Sequence, residues 1–172
     1  MLVLPVSARS GITSAQSQTI VSENGSCQVH VTFTIHLDSP DPDLTYPLPA
    51  NARDITVNGA PAFGVRGEDA RRVSLSSAVP GAGTYTVAIA YRLSDVISAE
   101  KDKLTLNLQL LSGFGYSIEG FSFTVTLPGA TTAQPEFKST YFQETVSSVM
   151  TYSFTDGVLS GSIFVIMSIA DA

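Results

Sequence analysis

The chain has 172 residues, of which 44% are hydrophobic and only 14% charged, with a formal net charge of −6 at neutral pH. A chain of this length buries roughly 70% of its unfolded surface and needs no metal or disulfide to fold. Its acidic balance repels phosphate backbones, which argues against nucleic acid as a partner, and its single cysteine, Cys27, excludes an internal disulfide.

Average soluble domains carry about 25% charged residues. Here Ser, Thr, Gln and Gly fill the deficit, a composition usual for secreted β-proteins. Leu2 to Ala8 reads as the tail of a signal-peptide apolar stretch, with cleavage after Ala8. Residues 1–16 are therefore expected to be a signal-peptide remnant and disordered start. A single domain is expected over 17–172, with a subdivision near 128–135.

Asn24-Gly25 is the preferred pair for a two-residue type I′ hairpin. The strand after it alternates, with Val29, Val31, Phe33, Ile35 and Leu37 on one face and His30, Thr32, Thr34 and His36 on the other. Residues 38–53 carry Pro40, Pro42, Pro47 and Pro49 without apolar periodicity and read as a connection crossing between two sheets. Asp54 to Val57 is a short strand and Asn58-Gly59 a second hairpin signal. Ala62 to Arg66 returns, residues 67–70 turn, and Arg72 to Leu75 forms another strand. Arg71 and Arg72, beside Glu68 and Asp69, read as a solvated turn and not as a basic patch.

Thr84 to Leu93 places Tyr85, Val87, Ile89 and Tyr91 on one face. Val96 to Lys103 has room for one or two helical turns. Leu104 to Leu110 and Phe121 to Leu127 alternate again. Weaker strands are expected near 137–142, 149–154 and 158–169. No stretch reaches the roughly 18 apolar residues needed to span a bilayer; the closest, Ile163 to Met167, is strand-length. The pattern predicts an all-β, antiparallel β-sandwich of immunoglobulin-like architecture with about ten strands.

Chemistry-bearing motifs are sparse. His30 and His36 lie six residues apart on one strand, about 20 Å at ~3.3 Å per residue, too far to share a metal. No Gly-x-Ser-x-Gly elbow occurs. Asp38, Asp41 and Asp43 form one loop constellation of the oxygen ligands that calcium takes, stiffened by Pro40 and Pro42; loop acids of this kind are more often simply solvated. Gly113-Phe114-Gly115-Tyr116 is a glycine–aromatic loop that offers Phe114 and Tyr116 for contact. The competing and favoured reading packs both rings over one end of the sandwich.

The run Pro80-Gly81-x-Gly83-Thr84-Tyr85-Thr86-Val87-x-Ile89-x-Tyr91-Arg92, then Lys103-Leu104-x-Leu106-Asn107, Ile118 and Val125-Thr126-Leu127-Pro128-Gly129, resembles the N-terminal extracytoplasmic domain of a bacterial predicted-membrane-protein family of unknown function. Glu23-Asn24-Gly25-Ser26 and Val57-Asn58-Gly59 fit the same pattern. The resemblance spans residues 17–165. It departs from the family pattern in lacking tryptophan near Leu106-Asn107 and after the glycine turn. It implies a signal peptide, a β-rich outer domain and a membrane anchor beyond Ala172, and it transfers no catalytic residues.

The expectation is thus a non-enzymatic, extracytoplasmic module at the cell surface, or secreted, that binds a protein or glycan or serves structurally. It needs no cofactor and touches the membrane only through an anchor outside the chain. The alternatives are a carbohydrate-binding module, calcium-assisted through the aspartate loop, and a hydrolase with a spatially assembled acid pair.

Overall fold

In the computed structural model the described residues are 10–22, 24–67, 70–100, 103–111, 114–126, 132–135, 143–145, 149–154 and 163–170. They form strands and turns, with no helix. The strands are β1 (Gly11–Val21), β2 (Cys27–Leu37), β3 (Thr45–Pro49), β4 (Arg53–Val57), β5 (Ala60–Pro61), β6 (Gly64–Arg66), β7 (Ala70–Ser74), β8 (Gly83–Leu93), β9 (Ile97–Glu100), β10 (Lys103–Leu111), β11 (Phe121–Thr126), β12 (Thr132–Pro135), β13 (Gln143–Thr145), β14 (Val149–Phe154) and β15 (Ile163–Ala170). They assemble into an eight-stranded sheet ordered β13-β14-β11-β1-β2-β8-β4-β5, a four-stranded sheet β12-β15-β10-β9 and a three-stranded sheet β3-β7-β6. Strands after residue 128 join both of the larger sheets, through β14 on β11 and β15 on β10.

The alternation read from the sequence sets the inner face of the large sheet. Val29, Val31, Phe33, Ile35 and Leu37 of β2 are all buried, as are Val87, Ile89, Tyr91 and Leu93 of β8 and Phe121, Phe123 and Val125 of β11. Strands β2 and β8 pair antiparallel over their full length, from Cys27 opposite Leu93 to Leu37 opposite Gly83. Side chains from the three-stranded sheet, Tyr46, Leu48 and Val73, complete this core, and the Tyr46 ring stacks on Phe33 at 5.5 Å between centroids.

Five expectations are corrected. Residues 11–16, read as part of a loose start, belong to β1, which lies between β2 and β11. The inward positions Ala15, Ser17 and Thr19 are small or polar, and a bulge between Ile12 and Ser14 shifts the phase of the strand, so no alternating apolar signal marks it. Second, β1 pairs with β11 in parallel, Ala15 opposite Phe121, and a parallel bridge of Ile12 with Ile118 precedes it, while the other strand pairings among the described residues are antiparallel. Third, the proline-rich connection contains strand β3. Its Pro47 and Pro49 are tolerated because β3 is the edge of its sheet. Fourth, Ile97–Glu100 is strand β9 pairing with β10, not a helical turn.

The fifth correction concerns the first hairpin. Ser22 N donates to Ser26 O at 2.8 Å and Gly25 N to Ser22 O at 3.0 Å, with Gly25 at φ 76°. This is a three-residue connection closed by a left-handed glycine, not the two-residue turn expected. The second signal does form as expected: Asn58 and Gly59 both have positive φ, 50° and 80°, between β4 and β5. Asn58 also ties the turn to β8, its N–H donating to Ala88 O and its Oδ1 accepting from Ala88 N–H at 2.8 Å. The expected strand at 137–142 lies outside the described residues.

Candidate functional site

Side chains singled out in the sequence sort into three places. The glycine–aromatic loop is turned inward. Phe114 is 9% exposed and its ring meets Phe33, Tyr46 and Tyr116 at centroid distances of 6.1, 5.6 and 6.0 Å. Tyr116 is half-buried, and its hydroxyl donates to Asp41 Oδ2 at 2.7 Å. That bond to a carboxylate, aided by burial, holds the phenol protonated and raises its pKa to about 12. The rings therefore close one end of the core, and Phe114 is not displayed for contact.

The three aspartates are not gathered around a common centre. Asp38 accepts from Ser10 N at 3.0 Å and faces His36 Nε2 at 3.4 Å. Asp41 takes the Tyr116 hydroxyl and, through Oδ1, the Asp43 N–H at 3.1 Å. Each carboxylate that is engaged stabilises its own loop or its neighbour. Among the described residues no group of three His, Cys, Asp or Glu side chains is placed to hold a metal. His30 and His36 point to the outer face of the large sheet, and His36 Nδ1 lies 2.9 Å from Thr84 Oγ1.

Two surface depressions are lined by described residues. One, of about 360 Å3, lies on the outer face of β1, β2 and β11 and is lined largely by Ser14, Gln16, Thr32, Thr34 and Ser122. The other, of about 260 Å3, is lined by Ala50, Asn51, Arg53, Arg66 and Arg71. The register of β6 on β7 places Arg66 directly opposite Arg71, on the same side of the small sheet as buried Val73. The β3–β4 turn then brings Asn51 and Arg53 over the same rim. The sequence reading missed this convergence. It took Arg71 as part of a solvated turn, whereas Arg71 is half-buried and donates through Nη1 to Ala52 O at 2.7 Å. Arg66 lies close to it in sequence, on the strand paired with it, but Arg53 lies far back along the chain, so only tertiary structure brings the third arginine to the pair. Glu68 and Asp69 lie outside the described residues.

Among the described residues the fold and surface define a helix-free β-domain with a polar outer face and an arginine-lined pocket. Residues 11–163 match the N-terminal domain of the predicted membrane protein family DUF2207, and the chain belongs to that family. No curated protein matches it by sequence. Among solved structures it is similar to yeast LTA4 hydrolase in complex with bestatin, at 14% identity and a TM-score of 0.56, covering 92% of this chain and 28% of that one. The native yeast LTA4 hydrolase gives 15% and 0.55, covering 94% and 29%. A variant M1 zinc metallopeptidase from Deinococcus radiodurans bound to a Tyr-Ser-Ala substrate gives 14% and 0.53, covering 92% and 42%. The chain thus spans less than half the length of these enzymes, and at such identities the likeness concerns the fold alone.

Proposed function

We propose that this chain is a non-enzymatic binding or structural module of a membrane-anchored protein, displayed outside the cytoplasm as a β-sandwich of immunoglobulin-like architecture. The observation that carries the reading is the match of residues 11–163 to the N-terminal domain of a predicted membrane protein family. The charge-poor, Ser/Thr-rich surface supports an extracytoplasmic setting. The inner face of the large sheet is consumed by the core, so recognition of a protein or glycan falls to loops, sheet edges and the outer face.

A labelling experiment on the full-length protein in intact cells tests the location. Native Cys27 is buried and gives little background, so a cysteine at exposed Gln18 reports the compartment. Labelling of Gln18→Cys by a membrane-impermeant maleimide before lysis is the expected result; labelling only after lysis would overturn the location. Peptide hydrolysis by the purified chain, with or without added zinc, would overturn the non-enzymatic part.

A further inference from the structure

We propose that the pocket formed by Arg53, Arg66, Arg71 and Asn51 binds a phosphate group, either of a soluble phosphate compound or of a lipid headgroup. Three arginines line one small depression on a chain whose net charge is −6. Nothing in sheet architecture calls for this. Arg66 and Arg71 are cross-strand partners, and like charges directly opposite each other destabilise a sheet. Among the described residues no carboxylate pairs with any of the three; the arginine–carboxylate pair seen there is Arg92 with Asp54, at 3.7 Å. A bound anion would relieve this repulsion.

Arg71 is also held ready. A Cβ at Gly64 would collide with its Cγ and Cδ, so glycine at that position leaves room for the arginine stem to lie across β6. Its Nη1 is anchored on Ala52 O at 2.7 Å, while its Nε is buried without a partner. A side chain already fixed loses little rotamer freedom when it binds.

Phosphate suits the site better than a carboxylate. A single carboxylate leaves most of the threefold positive charge unmatched, whereas a phosphate offers up to two charges and several oxygens to guanidinium forks. The volume of about 260 Å3 lies below the roughly 300–1,000 Å3 of sites that enclose drug-sized molecules. It fits a phosphate with a small organic stub. The inference does not depend on which compartment the chain occupies.

Titration calorimetry on the purified chain, with inorganic phosphate and with glycerol 3-phosphate at constant ionic strength, tests the pocket. A parallel arm measures co-sedimentation with phosphatidylglycerol vesicles, against phosphatidylcholine vesicles. The expected result is saturable binding that weakens tenfold or more in Arg53→Gln and in Arg66→Gln, both exposed positions whose replacement leaves the thermal transition in place. Arg71→Lys, which keeps the charge but loses the fork, weakens it too. Binding of soluble phosphates without vesicle capture assigns a soluble ligand. Capture by anionic vesicles that added phosphate competes away assigns a headgroup. No saturable binding in either arm, or binding that Arg53→Gln and Arg66→Gln leave unchanged, overturns the proposal.

Discussion

Alkali is expected to unfold this domain through three buried groups that resist ionisation. Cys27 is 2% exposed, and burial raises its thiol from an ordinary 9.0 to about 11 against a weaker opposing hydrogen bond with the Leu93 backbone. Tyr46 and Tyr91, each 2% exposed, are pushed well above the ordinary 10.0, chiefly by desolvation. In each case the folded state holds a proton that the unfolded state releases. Their contribution is whole below pH 9 and declines as the pH rises through the window between unfolded and folded values. At about pH 11 the thiol has forfeited roughly 2 kcal/mol, and the two phenols lose stability in the same direction. The thiol's share alone is a sizeable part of the roughly 5–15 kcal/mol that holds most domains, and the phenols add to it. Urea unfolding at a series of pH values measures the decline. Cys27→Ala should remove its earliest part, between about pH 9 and 10. Stability that is level up to about pH 11, or native-state phenolate absorbance showing Tyr46 and Tyr91 ionised near pH 10, would refute the argument.

Other perturbations test the packing. Thr19 Oγ1 is buried without a hydrogen-bond partner, so the isosteric Thr19→Val should raise stability by about 1 kcal/mol in chemical denaturation. A loss of that size would mean that the hydroxyl has a partner. Ile89, 1% exposed and set between Val31 and Val57 by the register of β8, should cost about 2–5 kcal/mol when cut to alanine, read from the same urea midpoints. Tyr116→Phe should cost only about 1 kcal/mol, because the ring contact with Phe114 survives and only the bond to Asp41 goes. Phe114→Ala should cost roughly 3–5 kcal/mol. Equal costs for the two would contradict the view that this loop closes the core.

The sequence by itself determined the elements whose signal is local. Strands β2, β8 and β11 carry one apolar residue at every second position, so their core faces were readable without any knowledge of their neighbours. The Asn58-Gly59 turn was readable for the same reason: both residues tolerate positive φ. The family resemblance rested on such turns and strand faces, and it is borne out over residues 11–163. Tertiary structure decided the rest. Strand β1 has Ala, Ser and Thr facing inward and a bulge in its phase; flanking ladders on both sides keep it extended. Pro47 and Pro49 read as loop residues until β3 proves to be an edge that needs no donor there. The aspartates looked like a ligand set because they are close along the chain, yet closeness in sequence did not gather their oxygens. Arg53 looked unrelated to Arg66 and Arg71 because it is far from them along the chain, yet the β3–β4 turn brings it to the rim that their cross-strand pairing forms. Spacing along a chain predicts which way a side chain faces, and only the pairing of strands decides which side chains meet.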